Sequence, residues 1–451
     1  MITSLHTELR LADVETHLPG DDGYDDARTP WNRAVELRPA GVAFPRDAEE
    51  VCALVRAAAE TGLRLAAMRT GHGVGPFVGV DLSDVFIVKT DHLTGVTIDP
   101  DRRIARIMSG TLWRDVVVAA AGFGLAVPHG SAGDVSAVGF LLGGGLSFYG
   151  RRHGVSANLV RSIEIVTADG ELRHVDGVHA PELFWALRGG GSGLGIVVAV
   201  ELELLPYADV YAGMLLWDRE RAPEVVTAWA RWTRDAPESA TTSLRIMSFP
   251  PLPELPPFLS GRDLVVIDGV VLEEDERADE VLAELRRLSP EVDTFGRIPL
   301  AALLEVHMDP PQPTPAVTTH SMLAEFDEEA AAGFLELVGP GTRTPLMVAE
   351  VRHLGGAFAR STDDGGILSR VEGDYALHTV AVAPTPEAAE AGLAAGEALD
   401  ARLASWATGR YAPTFTERRG RTFFSAEDSD ELARIRAAID PAGLFVGNHT
   451  V

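Results

Sequence analysis

Residues Arg69 to Gly73 read RTGHG, a histidine between two glycines just after the run Leu63 to Met68. An imidazole with no side chain on either neighbour can serve as nucleophile, base or ligand toward whatever lies against the loop. A second candidate lies far downstream in LMVAEVRHL. The two-residue period of a strand puts Leu346, Val348, Glu350 and Arg352 on one face, and Met347, Ala349, Val351 and His353 on the other. A carboxylate and a guanidinium on one face belong either to solvent or to a cavity, where Glu350 could take a proton. In GDYALHTVAVAP, Tyr375 and His378 point opposite ways from a regular strand. Tyr375 is the preferred site residue, because a phenol suits substrate positioning, and His378 reads as a core histidine.

Glycine supplies the next signal. PHGSAGDVSAVGFLLGGGLSFYGRRHG contains Gly130, Gly133, Gly139 and the triplet Gly143, Gly144 and Gly145, and LFWALRGGGSGLGIVVAVELELLP opens on a further cluster. So much glycine excludes regular helix or strand interiors and predicts backbone close to another group. No window matches G-x-G-x-x-G or a Walker A loop, so a phosphate-bearing ligand would be held by loop amides in another arrangement. H-E-x-x-H, paired Cys/His spacings and G-x-S-x-G are also absent, which argues against a metal site and a serine hydrolase.

Positioning these residues falls to alternating elements in the first third. DAEEVCALVRAAAETG predicts a helix capped by Asp47, with Glu50 three residues on and a stop at Gly62. VFIVK and RIARIM read as strands, TLWRDVVVAAAGFG as a helix, and IEIVTADGELRHV as a hairpin with a two-residue turn at Asp169-Gly170. Pro206 closes this part. At 451 residues the chain fits two substantial domains, and 46% hydrophobic with 23% charged residues predicts packed structure throughout. Lys plus Arg number 39 against 66 Asp plus Glu, a net charge of -27 that repels nucleic acid and anionic membranes. The opening MITSLHTELRLADVE has no apolar core of a signal peptide, and no stretch is long enough to span a membrane, so a soluble cytoplasmic protein is expected. Its single cysteine, Cys52, excludes an internal disulfide and reads as a small buried helix residue.

In order and spacing, RTGHG, GSAGDVSAVGFLLGGGLSFYGRRHG, ELFWALRGGGSGLGIVVAVELEL and the final DPAGLFVGNHTV resemble the FAD-linked oxidases. These are the berberine bridge enzyme-like and 6-hydroxy-D-nicotine oxidase-like proteins, with the PCMH-type FAD-binding domain of the vanillyl-alcohol oxidase group. ELPPFLSGRDLVV, VHMDPPQP and VRHLGGAFAR also look like the nicotine-oxidase-like branch. The resemblance implies an α+β fold: a two-part FAD-binding domain over 1–206 (core about 37–206), a substrate domain over 207–384 with an antiparallel sheet backed by helices, and a segment over 385–451 whose helix and tail return to the first domain. It implies FAD bonded through its 8α carbon to His72. Relatives with a second, cysteinyl link carry it where this chain has Ala132, so a single link is expected. Further FAD contacts would fall on Arg69, Thr70, Gly71, Gly73, Gly130, Ser131, Gly139, Gly143, Gly144, Gly145, Ile196, Val197 and Asn448.

For the substrate side, the resemblance places the strand before LGG at the cavity, with Glu350 as first candidate base, Tyr375 as second and Arg352 beside them. Thr414 stands in RYAPTF where the nicotine-oxidase-like proteins supply an asparagine, so their substrate does not transfer. The implied reaction moves hydride from a substrate C–H to the flavin while a base takes a proton from the adjacent O–H or N–H; a neutral amine needs no protein base. Dioxygen then takes the electrons as hydrogen peroxide. The alternatives are a dehydrogenase with another acceptor, or a natural-product binding or resistance flavoprotein with little turnover. A small-molecule substrate, no nucleic acid or membrane partner, and a monomer or homodimer complete the expectations.

Overall fold

A computed structural model describes residues 14–249, 251, 253 and 258–449. The readings made on the segment before Val14, on residues 254–257 of ELPPFLS and on the last two residues lie outside them. Three sheets organise the chain. The first joins β1 (Glu15–His17), β2 (Gly41–Phe44), β3 (Arg64–Met68) and β4 (Val85–Lys89) in the order β1-β2-β4-β3, parallel between β2, β4 and β3. The second, antiparallel, joins β5 (Val96–Asp99), β6 (Ile104–Met108), β7 (Val160–Val166), β8 (Leu172–Asp176) and β9 (Ile196–Glu203) in the order β5-β6-β9-β7-β8.

Local sequence accounts for these pieces. The helix Ala48–Thr61 starts at Asp47, whose side chain accepts from the Glu50 amide, and ends at Gly62 with φ 70°, a left-handed turn that glycine enters without strain. β4 is the apolar run VFIV closed by Lys89 and is buried along its whole length, as a central parallel strand requires. Cys52 is buried on the helix, and burial holds its thiol above its ordinary pKa. The β7–β8 connection differs from the expected two-residue turn. Five residues, Thr167 to Glu171, form it, because Thr167 already bonds the Glu171 carbonyl and Gly170 bonds back to Thr167.

The third sheet has eight antiparallel strands: β10 (Asp209–Asp218), β11 (Ala240–Ser248), β12 (Asp263–Val271), β13 (Val292–Asp293), β14 (Gly296–Pro299), β15 (Ala316–Leu323), β16 (Val348–His353) and β17 (Tyr375–Val382). Its order is β13-β10-β12-β11-β16-β17-β15, with β14 also on β10. Helices Ala222–Asp235, Asp275–Arg286, Glu328–Val338 and Pro386–Arg402 cover one face, where Leu215, Trp229, Ile267, Phe334, Val351, Leu377 and Leu399 share a core. Within the 385–451 segment, the helix Pro386–Arg402 packs on β15 and β17. Only the later segment returns: helix Ala426–Ile439 packs on helix Pro181–Leu187, and Phe445 bridges Leu65 of β3.

The other face of the large sheet turns toward the first two sheets, with Ala212, Val270, Met322 and Ala376 sharing a core with Phe148, Tyr149 and Phe358. Arg151 pins the two halves together, donating to the Ala240 carbonyl at 2.8 Å, the Leu354 carbonyl and the His353 ring. Among the described residues no helix is long and apolar enough to cross a membrane.

Candidate active site

A cleft opens between the first two sheets, and the loop after β3 forms one wall of it. Arg69, Thr70, Gly71, His72 and Gly73 all line it, together with Gly139, Gly143, Val197 and Asn448. The loop is held from behind. Lys89, the chain's single lysine, is buried and donates to the Arg69 carbonyl at 2.7 Å, and the Arg69 guanidinium is taken up by the Gly110 carbonyl and Asp91, each at 2.8 Å. The two glycines flanking His72 have different reasons. Gly71 has φ 79°, and a Cβ there would lie 2.6 Å from Pro30, whereas a Cβ on Gly73 would meet only Asn448, at 3.8 Å. Gly71 is needed by the protein's own packing, and Gly73 leaves space in the cleft.

His72 is fixed on three sides. Its ring stacks on Trp31 with centroids 4.3 Å apart, Nδ1 lies 2.8 Å from the Thr70 hydroxyl, and Nε2 lies 3.6 Å from Asp134. The Trp31 indole donates to Asp134 at 2.8 Å. Burial pushes the Asp134 carboxyl up, but its bonds to His72 and Trp31 outweigh that and hold it below the usual range.

Five of the expected cofactor contacts do not line the cleft: Gly130, Ser131, Gly144, Gly145 and Ile196. Ile196 is 1% exposed in the core between sheets. A Cβ on Gly144 would sit 2.3 Å from Leu368, and one on Gly145 2.4 Å from the Phe140 ring, with φ of 93° and 81°. Gly130, Gly144 and Gly145 thus make room for Phe140 and Leu368, while Gly143 lines the cleft; Phe140 reaches the cleft wall. The tail does return: Asn448 accepts from Ser192 at 3.2 Å and donates to the Gly73 carbonyl at 3.5 Å.

Sequence reasoning missed Trp31, Ser109, Asp134, Ser192 and His449. Only Asp134 had a visible signal, as the single charge in GSAGDVSAVG. Ser109 and His449 line the cleft, and their Oγ and Nδ1 are buried without a partner in the structure. Buried polar atoms are almost always satisfied, so these two mark places where a polar ligand atom belongs. An elongated polar cofactor fits such a cleft.

The face of the large sheet toward this cleft carries the chemistry. Register puts Arg245 opposite Glu350, Glu350 opposite His378, His378 opposite His320, and Ser243 opposite both Arg352 and Asp268. Facing residues of paired strands share one side of a sheet, so all of these point the same way. Glu350 and Arg352 are 2% and 8% exposed, bonded at 2.8 Å. This settles the solvent-or-cavity alternative in favour of the interior. Asp268 and Arg245 form a second buried pair, and His307 joins the two, with Nδ1 3.1 Å from Asp268 and Nε2 3.4 Å from Arg352.

Tyr375 is corrected by the same register. It lies opposite His353, on the helix-backed face, where it stacks on that ring and shares a hydrogen bond of 2.8 Å with Thr233. It therefore cannot meet a substrate between the sheets, and His378, read from sequence as a core residue, stands on the Glu350 side. Burial lowers His378 to a pKa of about 4, so its ring is neutral at ordinary pH, and its Nδ1 is buried without a partner. Glu350 behaves differently. Burial raises its carboxyl, but the Arg352 guanidinium together with the His307 and His378 rings outweighs this and holds it at about 2. A carboxylate so stabilised is a poor proton acceptor. Glu350→Gln is expected to leave Arg352 buried without a counter-charge and to lower stability by about 3–5 kcal/mol, measured by urea unfolding; a loss under 1 kcal/mol would show that water or another acid compensates.

The cleft and the charged face meet at Pro413–Phe415. Pro413 and Thr414 line the cleft, while the Phe415 ring lies 4.9 Å from that of His378 and 5.0 Å from the Arg352 guanidinium. Thr414 thus occupies the junction.

The cleft is walled by a histidine loop and glycine turns and lies beneath a helix-backed antiparallel sheet, and comparison with known proteins identifies the domain that carries most of it. Residues 39–176 match the family model described as an FAD binding domain. Over 236 residues the chain is 29% identical to glucooligosaccharide oxidase of Sarocladium strictum, covering 51% of this chain and 47% of that protein. It is 32% identical over 219 residues to (R)-6-hydroxynicotine oxidase of Paenarthrobacter nicotinovorans, covering 48% and 47%. The match spans about half the length of these curated relatives. Among solved structures, Physcomitrella patens BBE-like 1 superposes with a TM-score of 0.84 at 16% identity over 98% of both chains. The 6-hydroxy-D-nicotine oxidase of Arthrobacter nicotinovorans does so with 0.80 at 21% identity over 96% of both. Residues 39–176 thus carry an FAD binding domain, and over about half its length the chain is similar to FAD-linked oxidases.

Proposed function

We propose that this protein is an FAD-dependent oxidase that takes hydride from a C–OH or C–N centre of a small or natural-product molecule. The observation that carries this reading is the meeting, at Pro413–Phe415, of a cleft with orphaned polar atoms and a buried face bearing Glu350, Arg352 and His378. Bound in the cleft, FAD would supply a two-electron acceptor that returns the electrons to dioxygen as hydrogen peroxide. The 69–73 loop, Ser109, Gly139, Gly143, Ser192, Val197, Asn448 and His449 would hold it. His72 would carry a single covalent link, because Ala132 offers no thiol.

On the substrate side, His378 is the base: its neutral Nδ1 has no partner and can accept the proton of a hydroxyl or amine. Glu350 keeps Arg352 charged and in place, and the guanidinium orients a polar substrate. Relatives named as acting on oligosaccharides and on 6-hydroxynicotine support both the C–OH and the C–N option.

The decisive test is the intact mass of the denatured chain, beside His72→Ala, followed by a substrate screen for flavin bleaching and peroxide. Wild type is expected to carry the added mass of one FAD and His72→Ala the bare chain mass. A bare wild type from a flavin-replete host would remove the covalent link. Bleaching by a substrate without peroxide in air would replace dioxygen by another acceptor.

A further inference from the structure

We propose that Asp134 is a positioning residue for covalent attachment at His72, selecting the ring tautomer that makes Nδ1 the attacking atom. The inference rests on the reading that His72 carries the flavin.

Asp134, Trp31, Thr70 and His72 form a closed set. The indole of Trp31 donates to one carboxylate oxygen of Asp134 at 2.8 Å, the other oxygen lies 3.6 Å from His72 Nε2, and the Trp31 ring stacks on the imidazole. The Trp31 amide donates to the Thr70 carbonyl at 2.8 Å, and the Thr70 hydroxyl lies 2.8 Å from His72 Nδ1. Side chains of His72 and Asp134 are 23% and 17% exposed, so most of the surface of each is covered by the protein.

A carboxylate only accepts, so the tautomer it favours has the proton on Nε2. The lone pair then resides on Nδ1. Thr70 can donate to that lone pair or rotate its hydroxyl away, so it holds the ring without blocking the nitrogen permanently. Asp134 is anionic in this setting, and its charge also favours the positive ring that forms as the nitrogen is alkylated.

The step balances. A bond forms between Nδ1 and the carbon of the flavin's 8-methyl group; that carbon gives up one proton, and the ring proton leaves Nε2. The pair from the broken C–H bond reduces the flavin by two electrons, with the two released protons completing the reduction, and dioxygen removes both electrons and protons as hydrogen peroxide. Asp134 is the carboxylate that the described residues place beside the His72 ring. The signal for this lay in GSAGDVSAVG, but nothing in the sequence links residue 134 to residues 31 and 72.

The test compares wild type, Asp134→Asn, Asp134→Glu and His72→Ala from a flavin-replete host. Total flavin is read from the absorbance of native protein, and attached flavin from the intact mass after denaturation at fixed times of incubation with FAD. Asparagine presents an amide that can donate to Nε2 and so favours the wrong tautomer. Expected for Asp134→Asn is wild-type total flavin with attachment slowed by about ten-fold or more, the low end of what an orienting partner is worth to an imidazole. Asp134→Glu is expected to restore much of the rate, which a merely structural role would not do. Attachment at the wild-type rate in Asp134→Asn overturns the proposal and leaves His72 as the site. Loss of all flavin from an Asp134→Asn protein that melts like wild type also overturns it, by making Asp134 a binding residue. A wild type of bare chain mass removes the reading beneath it as well.

Discussion

His378→Asn is expected to lower the rate of anaerobic flavin bleaching by substrate about 10²- to 10⁴-fold, the usual worth of a general base, while KM changes little. The expectation follows from register. β17 places His378 directly opposite Glu350, on the face toward the cleft, with Nδ1 buried and unpartnered. A base works only when unprotonated, and burial keeps this ring neutral above about pH 4. In wild type, kcat/KM should therefore rise through that pH and lie flat near neutrality, and the acid limb should vanish in the variant. Asparagine keeps a polar group of similar reach but has no proton affinity to offer. A two-fold effect with an unchanged acid limb would move the base elsewhere on the face, to Glu350 or to the Asp268–His307 pair.

Acid should unfold this protein over a narrow range. Five histidines are shut off from water wholly or in large part, and burial lowers all of them: His320 to about 3, His129, His378 and His449 to about 4, and His353 well below its ordinary value. The unfolded chain binds those protons near pH 6.5, the folded chain does not. Between pH 6.5 and 4 the unfolded state thus holds more protons, and stability falls as pH falls. Each proton contributes about 1.4 kcal/mol per pH unit. Three of the five acting together remove about 4 kcal/mol per unit, against the roughly 5–15 kcal/mol that folded proteins have in total.

Glu417 acts in the opposite sense. Burial outweighs the Gly75 amide bonded to it at 2.6 Å and raises its carboxyl to about 7, so its contribution is present below pH 4.5 and is lost as pH rises through 7. One group does not cancel five. Urea midpoints at pH 7, 6 and 5 should fall steeply, and a flat series would mean that the rings reach water.

How much was legible in the sequence varied by element. The helix Ala48–Thr61 could be read to the residue because both of its signals, Asp47 and Gly62, act within a few positions of where they stand. The buried strand VFIVK was equally local. The histidine loop stood out by its two glycines, but a role toward a flavin came only with the family resemblance. Faces were half legible: the two-residue period correctly separated Tyr375 from His378 and paired Glu350 with Arg352. It could not say which face met the cleft.

That choice belongs to the tertiary structure, because a strand's period fixes which residues share a side and only its partners fix where the side points. Pairing β17 against β16 with His353 opposite Tyr375 sent the phenol to the helices and the imidazole to the substrate side. The same limit hid Trp31 and Asp134, which are 103 residues apart in sequence and hydrogen-bonded in space. Composition, glycine turns, caps and the identity of the loop histidine were determined by the sequence itself, through interactions spanning a few residues. Which groups surround that histidine, and which stand opposite it, were decided by long-range packing that no local pattern encodes.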